Sequence, residues 1–209
     1  MNGFRSFEPL ELVHLDAACL VAVKPSGLLA VPGRTEPDCL AARVQAPYPD
    51  ARVVHRLDMA TSGLMLFARG AEAQRRLSAA FAAREVAKRY IAVVHGVVAA
   101  PQGEIDLPLI ADWPNRPLQT VDAVHGKPSL TRWRVLGTEG GHTRVELEPV
   151  TGRAHQLRVH LLAIGHPIVG DALYSPHADA GRLLLHAARL RFAHPVSGDA
   201  IEIESASPF

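Results

Sequence analysis

Asp58 has the setting that most suggests chemistry, because it lies in residues 55–64, HRLDMATSGL. Arg56 brings a cation close to this carboxylate, and Leu57 and Leu64 flank it with apolar side chains. Residues 61–63 add turn-forming side chains. A solvated surface aspartate needs none of these neighbours, so Asp58 is a candidate site residue. The same composition is typical of a structural turn, and the segment alone leaves both interpretations open.

Three further segments carry candidate site residues. Tyr90 lies on the small, apolar face of an alternating stretch, where its ring could line a pocket or belong to the core. Arg158 stands between Leu157 and Val159, which predicts a partly buried guanidinium that needs a partner, usually a carboxylate with two parallel hydrogen bonds. The spacing does not identify that carboxylate. Residues 182–187 (RLLLHA) predict a buried strand that can also line a pocket.

Length and composition fit one globular domain over residues 1–209 or two closely packed halves, since 48% of the residues are hydrophobic and 21% are charged. We expect a single domain, because no Gly/Ser linker divides the chain. The net charge of +1 is lower than that of a polybasic nucleic-acid binder, so any basic surface must come from local clusters. Cys19 and Cys39 form no C-x-x-C pair, which favours reduced thiols. Neither a signal peptide nor a membrane-spanning run is evident, so we expect a cytoplasmic protein without membrane contact.

Many short strands with few helices predict an α+β fold. Alternating or short apolar runs predict strands at residues 10–13, 19–23, 64–68, 86–98, 105–110, 131–136, 143–148, 183–192 and 201–203. Helical spacing predicts helices at residues 38–45, 73–84 and 154–164, the first capped by Asp38. A long loop is expected at residues 112–127. In it, Trp113 and Arg116 could stack on bases or anchor the loop. Asp171 is expected to structure the turn after the third helix.

Four patterns occur in this order: H-R-L-D-x-x-T-S-G, K-x-Y-x-A-x-V-x-G, G-R-x-H-Q-L-R and L-H-A. Together they resemble the RluA family of RNA pseudouridine synthases, and the resemblance runs from about Val13 to Ile203. Residues 112–117 (DWPNRP) and the compact length further resemble the subgroup that acts on both 23S ribosomal RNA and tRNA. The resemblance implies a mixed, mainly antiparallel central sheet with flanking helices and loops and an active-site cleft across the sheet. It also implies a single catalytic domain without the S4-like RNA-binding module of many relatives.

The activity that the resemblance implies is a cofactor-free isomerisation in stem-loops of rRNA, tRNA or both. We also expect a monomer that needs no metal. The uridine N1–C1′ bond is cut, the base turns, and it is rejoined through C5. Asp58 is then the nucleophile or base at the ribose, Tyr90 stacks on the base, and Arg158 pairs with Asp58. Arg56 fills the gap left by the flipped nucleotide. Leu185 packs on the uracil, and the other expected substrate contacts are His55, Thr61, Arg153, Trp113 and Arg116.

The charge of Asp58 imposes a requirement on this site. The carboxylate must be ionised to react, whereas a water-poor pocket favours its neutral form. A bidentate Arg158 would reverse that preference, so we expect its guanidinium fork on Asp58. A uridine must also leave its stack first, at a cost of a few kcal/mol, and loosely stacked loop bases are the least costly targets.

Three alternatives remain open at this point. A non-catalytic RNA-binding module would have no reason to retain Asp58, Tyr90 and Arg158 together. A hydrolase needs a second acid, for which Asp171 could fold close to Asp58. A metalloenzyme would need ligand spacing that the eleven histidines lack.

Overall fold

A computed structural model describes residues 10–177 and 181–209, and these form one large sheet with three helices. The strands are β1 (Leu12–Leu15), β2 (Cys19–Lys24), β3 (Ala51–Val53), β4 (Ser62–Arg69), β5 (Ala87–His95), β6 (Gln102–Asp106), β7 (Leu109–Ala111), β8 (Gln119–Val121), β9 (Leu130–Glu139), β10 (His142–Pro149), β11 (Leu185–Ala193) and β12 (Ala200–Glu204). The helices are α1 (Leu40–Gln45), α2 (Gly70–Ala83) and α3 (Gln156–Ala163).

The ten-stranded sheet has the order β1-β2-β4-β11-β5-β10-β9-β6, with β3 also paired to β4 and β12 to β11. Strands β4 and β11 run parallel, while the other pairs of this sheet are antiparallel. Strands β7 and β8 form a separate two-stranded sheet. The prediction of a mixed, mainly antiparallel α+β fold is therefore confirmed.

The parallel pair joins the two halves of the chain at a point where only glycine fits. Gly63 on β4 pairs with Ala187 on β11, and its φ of +113° lies where side chains are rarely tolerated. A Cβ there would lie 2.4 Å from the Ala187 carbonyl oxygen. The neighbouring Ser62 hydroxyl lies 2.9 Å from His186 Nδ1 across the same pair. This junction fixes the start of β4, and with it the segment that carries Asp58.

Strand β4 is buried on both faces, which explains its continuous apolar sequence. Leu64 and Leu66 pack with α2 in one core cluster, and Met65 and Phe67 pack with α1 in another. A third cluster packs α3 against β5 and β10. The two-residue period of a strand thus places β4 between two helices.

Several sequence predictions need correction. Helix α1 is capped by Cys39, whose Sγ accepts the Ala42 N–H, because the Asp38 carboxylate is engaged with Arg43. The strand expected at residues 105–110 ends before Pro108, which has no N–H to donate, so β6 and β7 are separate. Strands β3 and β8 were not predicted, since three residues carry too little pattern.

Other expectations are met within the described residues. Both cysteines are free and buried. No helix within residues 10–177 and 181–209 has the length and apolar character to cross a membrane.

Candidate active site

A cavity of about 650 Å³ is lined in part by residues of β5, β10 and β11, and its volume lies within the usual range for ligand sites. Its walls come from the segment before β4, the end of α2, strand β5, residues 149–153, the start of α3 and the start of β11. The structure brings together eight of the ten predicted site residues here: His55, Arg56, Asp58, Thr61, Tyr90, Arg153, Arg158 and Leu185. The predicted cleft across the sheet is therefore present.

The turn that carries Asp58 is fixed by hydrogen bonds to its backbone. The Thr61 N–H donates to the Asp58 carbonyl over 3.1 Å, and the Ser26 hydroxyl donates to the Ala60 carbonyl over 2.7 Å. The Met59 carbonyl accepts from the Gly27 N–H at 2.9 Å. Residues 24–28 therefore hold the turn in place, so both interpretations of the segment apply: it is a structural turn, and it presents Asp58 to the cavity.

Lys24 anchors the same turn from the interior. Its side chain is completely buried, and Nζ donates to the carbonyls of Pro25, Leu28 and Met59 at 2.9, 2.7 and 2.9 Å. Burial lowers the pKa of Lys24 to about 7, while the charge of Asp58 acts in the opposite direction. Lys24 was not predicted as a site residue, since a lysine before Pro-Ser-Gly is typical of an exposed turn.

Arg158 does not form the expected fork with Asp58. Its Nε and Nη2 donate to the two oxygens of Asp171 at 2.7 and 2.6 Å, and Nη1 lies 3.7 Å from Asp58 Oδ2. Burial acts against the charge on Arg158, but the carboxylates of Asp171 and Asp58 leave its pKa above the usual value. The predicted fork is therefore wrong in its partner: Arg158 binds Asp171 through two hydrogen bonds and faces Asp58 only through Nη1.

Asp171 also structures its own turn, as expected. Its Oδ1 accepts the N–H groups of Leu173 and Tyr174 at 3.0 and 3.2 Å. The side chain is buried and both oxygens are engaged. Asp171 thus comes near Asp58, as the hydrolase alternative requires, but it is bound to Arg158 and cannot serve as a free second acid.

His155 faces the other oxygen of Asp58. Its Nε2 lies 4.0 Å from Asp58 Oδ1, and its Nδ1 lies 2.6 Å from the Tyr174 hydroxyl. The backbone of His155 is left-handed, with φ of +53°, and burial lowers the pKa of the ring while Asp58 opposes this shift. His155 was not predicted as a site residue; its place in G-R-x-H-Q-L-R was the available signal, but the signal does not reveal its distance from Asp58.

Tyr90 and Leu185 form a wall of the cavity on neighbouring strands β5 and β11. Burial raises the pKa of Tyr90 above its usual value, and the negative charge of Asp58 adds to the shift. The phenol therefore remains neutral and can donate a hydrogen bond. An aromatic ring and a leucine offer a flat, apolar surface for a base.

The cavity lining is strongly cationic, in contrast to the nearly neutral chain. It contains one carboxylate, Asp58, and five cations: Arg56, Arg84, Lys88, Arg153 and Arg158. In the part of the chain that the structure describes, only Arg158 among these five lies within 4 Å of a carboxylate. Unpaired cations around one cleft are suited to phosphate groups.

His55 lines the cavity but also supports the sheet. Its Nε2 accepts the Leu66 N–H at 2.9 Å, and its ring stacks on Phe81 with centroids 4.5 Å apart. Burial, with a smaller effect of the Lys88 charge, lowers the pKa of His55 to about 3. His55 is therefore a neutral wall residue whose Nε2 cannot donate to a substrate.

Trp113 and Arg116 lie outside the cavity, on the loop between β7 and β8. The Trp113 side chain is 66% exposed, and the Arg116 Cζ lies 3.3 Å from the centre of its ring. The two side chains thus form a stacked pair that faces solvent.

The metal alternative gains no support from the cavity. Within the described residues, the one cluster of three or more candidate ligands is His14, Asp16 and Cys19, none of which lines the cavity. Asp16 Oδ1 accepts two backbone N–H groups and Oδ2 binds His14, so the cluster is a hydrogen-bonded turn.

The fold identifies the class of protein, which is that of the RNA pseudouridine synthases, enzymes that isomerise uridine in RNA. The solved structure of human RNA Pseudouridylate Synthase Domain Containing 1 has a TM-score of 0.82 and 30% sequence identity to this protein, over 96% of this chain and 84% of that chain.

The chain belongs to the RNA pseudouridylate synthase family, whose sequence model matches residues 18–163. It is 46% identical over 218 residues to the dual-specificity RNA pseudouridine synthase RluA of Escherichia coli strain K12, covering 99% of this chain and 100% of that protein. Identity to the corresponding Vibrio cholerae protein is 50% over 193 residues, or 90% of this chain and 79% of that protein. The resemblance stated from the four motifs is confirmed.

Proposed function

We propose that this protein isomerises uridine to pseudouridine in loops of 23S ribosomal RNA, tRNA or both, with Asp58 acting on the ribose. The observation that carries the proposal is that Asp58 is the single carboxylate of a cationic cavity, faced by Arg158 and His155. The names of the similar proteins, dual-specificity RNA pseudouridine synthases, support this choice of substrates.

The reaction conserves the atoms of the nucleotide. The N1–C1′ bond breaks, the uracil turns within the pocket, and a C5–C1′ bond forms while C5 loses a proton and N1 gains one. Asp58 acts as nucleophile or as base at the ribose, for which it must be ionised. Arg158 on one side and His155 on the other face the two oxygens of this carboxylate.

The detached base is held by the apolar wall. Tyr90 stacks on the uracil, its neutral phenol serves as a hydrogen-bond donor, and Leu185 packs against the other part of the ring. Thr61 and His55 complete the floor beside Asp58. Confinement of the base lets it turn and react again at C5 without being lost to solvent.

The RNA around the target contacts the cationic rim. Arg56 is exposed beside Asp58 and fills the space that the flipped nucleotide leaves. Arg153, together with Arg84 and Lys88, binds backbone phosphates. Trp113 and Arg116 stack on bases next to the target.

The protein acts as a cytoplasmic monomer, without a metal, a cofactor or a membrane. One chain supplies the carboxylate, the cations and the apolar wall that the proposed reaction uses.

Tritium release tests the proposal. RNA labelled at C5 of uridine, as a tRNA anticodon stem-loop or a 23S rRNA fragment, is incubated with the protein, with and without a chelator. Release of C5 tritium without free uracil is the expected result, and mapping locates the modified uridine. Free uracil would indicate a hydrolase, binding without any product would indicate an RNA-binding module, and chelator-sensitive release would indicate a metal; each outcome would overturn the proposal.

Asp58→Asn identifies the reacting group. The variant keeps the shape of the side chain, so it should still bind RNA while tritium release falls by roughly 1,000-fold or more. Asp199→Asn, a matched change in the turn between β11 and β12, should retain full activity. Normal turnover by Asp58→Asn would contradict the role of Asp58.

A further inference from the structure

His155 and Tyr174 form a hydrogen-bonded pair beside Asp58 that the reaction described above does not use. The Tyr174 side chain is buried, and its hydroxyl lies 2.6 Å from His155 Nδ1. The opposite nitrogen of the ring, Nε2, lies 4.0 Å from Asp58 Oδ1. The pair therefore connects the reacting carboxylate to the turn that follows α3.

The contacts of the Tyr174 phenol determine which nitrogen of the His155 ring carries the hydrogen. The Tyr174 oxygen accepts the Gln119 N–H at 2.8 Å, so its own hydrogen is directed to His155 Nδ1. An imidazole that accepts at Nδ1 carries its hydrogen at Nε2 when neutral. His155 consequently presents an N–H group to Asp58.

The same turn holds the other donor that faces Asp58. Asp171 binds Arg158 through two hydrogen bonds, and the Tyr174 ring lies 5.0 Å from the Arg158 Cζ. Residues 171–174 thus orient Arg158 toward Oδ2 and His155 toward Oδ1 of the Asp58 carboxylate.

The Tyr174 hydroxyl also binds the chain at the end of the loop that carries Trp113 and Arg116. This loop is closed by hydrogen bonds from the Asp112 N–H to the Leu118 carbonyl and from the Leu118 N–H to the Asn115 carbonyl, at 2.9 and 3.0 Å. Gln119, which binds the phenol, is the next residue in the chain. Leu118 packs on the small core cluster that contains Tyr174.

We infer that Tyr174 and His155 are positioning residues: the phenol fixes the His155 ring so that its Nε2–H faces Asp58, and it couples that orientation to the loop at residues 112–118. The inference deepens the proposed function and rests on it. RNA bases that stack on Trp113 and Arg116 restrict the motion of this loop. Through Gln119 and Tyr174 the same bases restrict the motion of the groups that face the Asp58 carboxylate.

Two variants test the Tyr174 hydroxyl and the His155 N–H group separately. Tyr174→Phe keeps the ring and removes the hydroxyl, whereas His155→Asn keeps an acceptor for the phenol, tolerates the left-handed backbone, and removes the donor to Asp58. We expect the single-turnover rate at saturating protein to fall roughly 10- to 100-fold in each, with the RNA Kd within about twofold of wild type. Tyr48→Phe, a matched change at a ring that packs on Arg69, should leave both quantities unchanged.

A double-mutant cycle tests the coupling to the loop. Trp113→Ala should lower the single-turnover rate in the wild-type background and lower it much less in Tyr174→Phe. The reason is that Tyr174→Phe has already removed the hydrogen bond between Gln119 and the phenol. A purely structural role predicts multiplicative effects instead.

Each result decides a separate point. Multiplicative effects, or wild-type rates in both Tyr174→Phe and His155→Asn, would overturn the inference while wild-type tritium release leaves the proposed function standing. A wild-type protein that releases no tritium would overturn the proposed function itself.

Discussion

Arg158 binds Asp171 through Nε and Nη2 while its Nη1 lies 3.7 Å from Asp58 Oδ2, so one guanidinium serves two carboxylates. The Asp171 side chain is 1% exposed and the Asp58 side chain 30% exposed. Asp171 therefore neutralises the buried cation and fixes its plane. Asp58 faces the remaining nitrogen of the Arg158 guanidinium, Nη1, at a longer distance and stays accessible to substrate.

Arg158→Lys should not behave as a conservative change. A single ammonium cannot bond both oxygens of Asp171 and also face Asp58. We expect the single-turnover rate to fall roughly 100-fold, equivalent to about 2.7 kcal/mol in the barrier, with little change in RNA binding. Rapid-quench measurement of pseudouridine formation provides the check, and a rate within threefold of wild type would refute the role assigned to the fork.

Asp171→Asn should destabilise the fold more than Asp58→Asn. It leaves the buried guanidinium of Arg158 without its charge partner, which costs about 3 kcal/mol. The Asp58 carboxylate is partly exposed and lies 3.7 Å from Arg158 Nη1, so its loss should change the free energy of unfolding by less than about 1 kcal/mol. Urea denaturation of the two variants measures the difference, and equal stabilities would contradict this division between the two carboxylates.

Gly63→Ala should disrupt the parallel junction between β4 and β11. The new Cβ would meet the Ala187 carbonyl oxygen at 2.4 Å in addition to a φ of +113°. Gly141→Ala is the matched control, since Gly141 also has a positive φ, +79°, but its Cβ would meet nothing within 4 Å. We expect a loss of about 1 kcal/mol for the control and of more than about 3 kcal/mol for Gly63→Ala. Similar thermal transitions for the two variants would show that the junction tolerates a side chain.

His55 should make stability depend on acidity. Its pKa is about 3 in the fold against 6.5 ordinarily, so between these values the unfolded chain binds a proton that the folded chain does not. Stability is therefore lost as the pH falls below about 6.5, by about 2 kcal/mol from this site between pH 7 and pH 5.

His55→Gln isolates that contribution. Glutamine retains an acceptor for the Leu66 N–H but does not titrate, so the loss between pH 7 and pH 5 should be smaller in the variant by the same amount. His186, whose burial lowers its pKa to about 4, is present in both proteins and cancels from the comparison. Denaturant titrations at the two pH values supply the measurement, and identical losses would exclude His55 as the titrating group.

Patterns of residues along the chain were sufficient to predict the long helices and strands. The apolar run of β4, the helical spacing of α2 and α3, and the alternation in β5 predicted these elements, because burial imposes its period on neighbouring residues. Short elements such as β3 and β8 escaped prediction, since three residues do not complete a period. The cap of α1 was assigned to Asp38 because the competing partner, Arg43, becomes visible only when the helix is formed.

By itself, the sequence determined the fold class, the family and the candidate carboxylate, because local motifs carry turn chemistry and the identity of reacting groups. Only the tertiary structure decided how charges pair. Asp171 rather than Asp58 receives the Arg158 fork, Lys24 is buried beneath the Asp58 turn, and Tyr174 joins His155 to a loop more than fifty residues away. Such partners are distant in the chain, and their distances and angles arise from the packing of the sheet and helices, which no local pattern encodes.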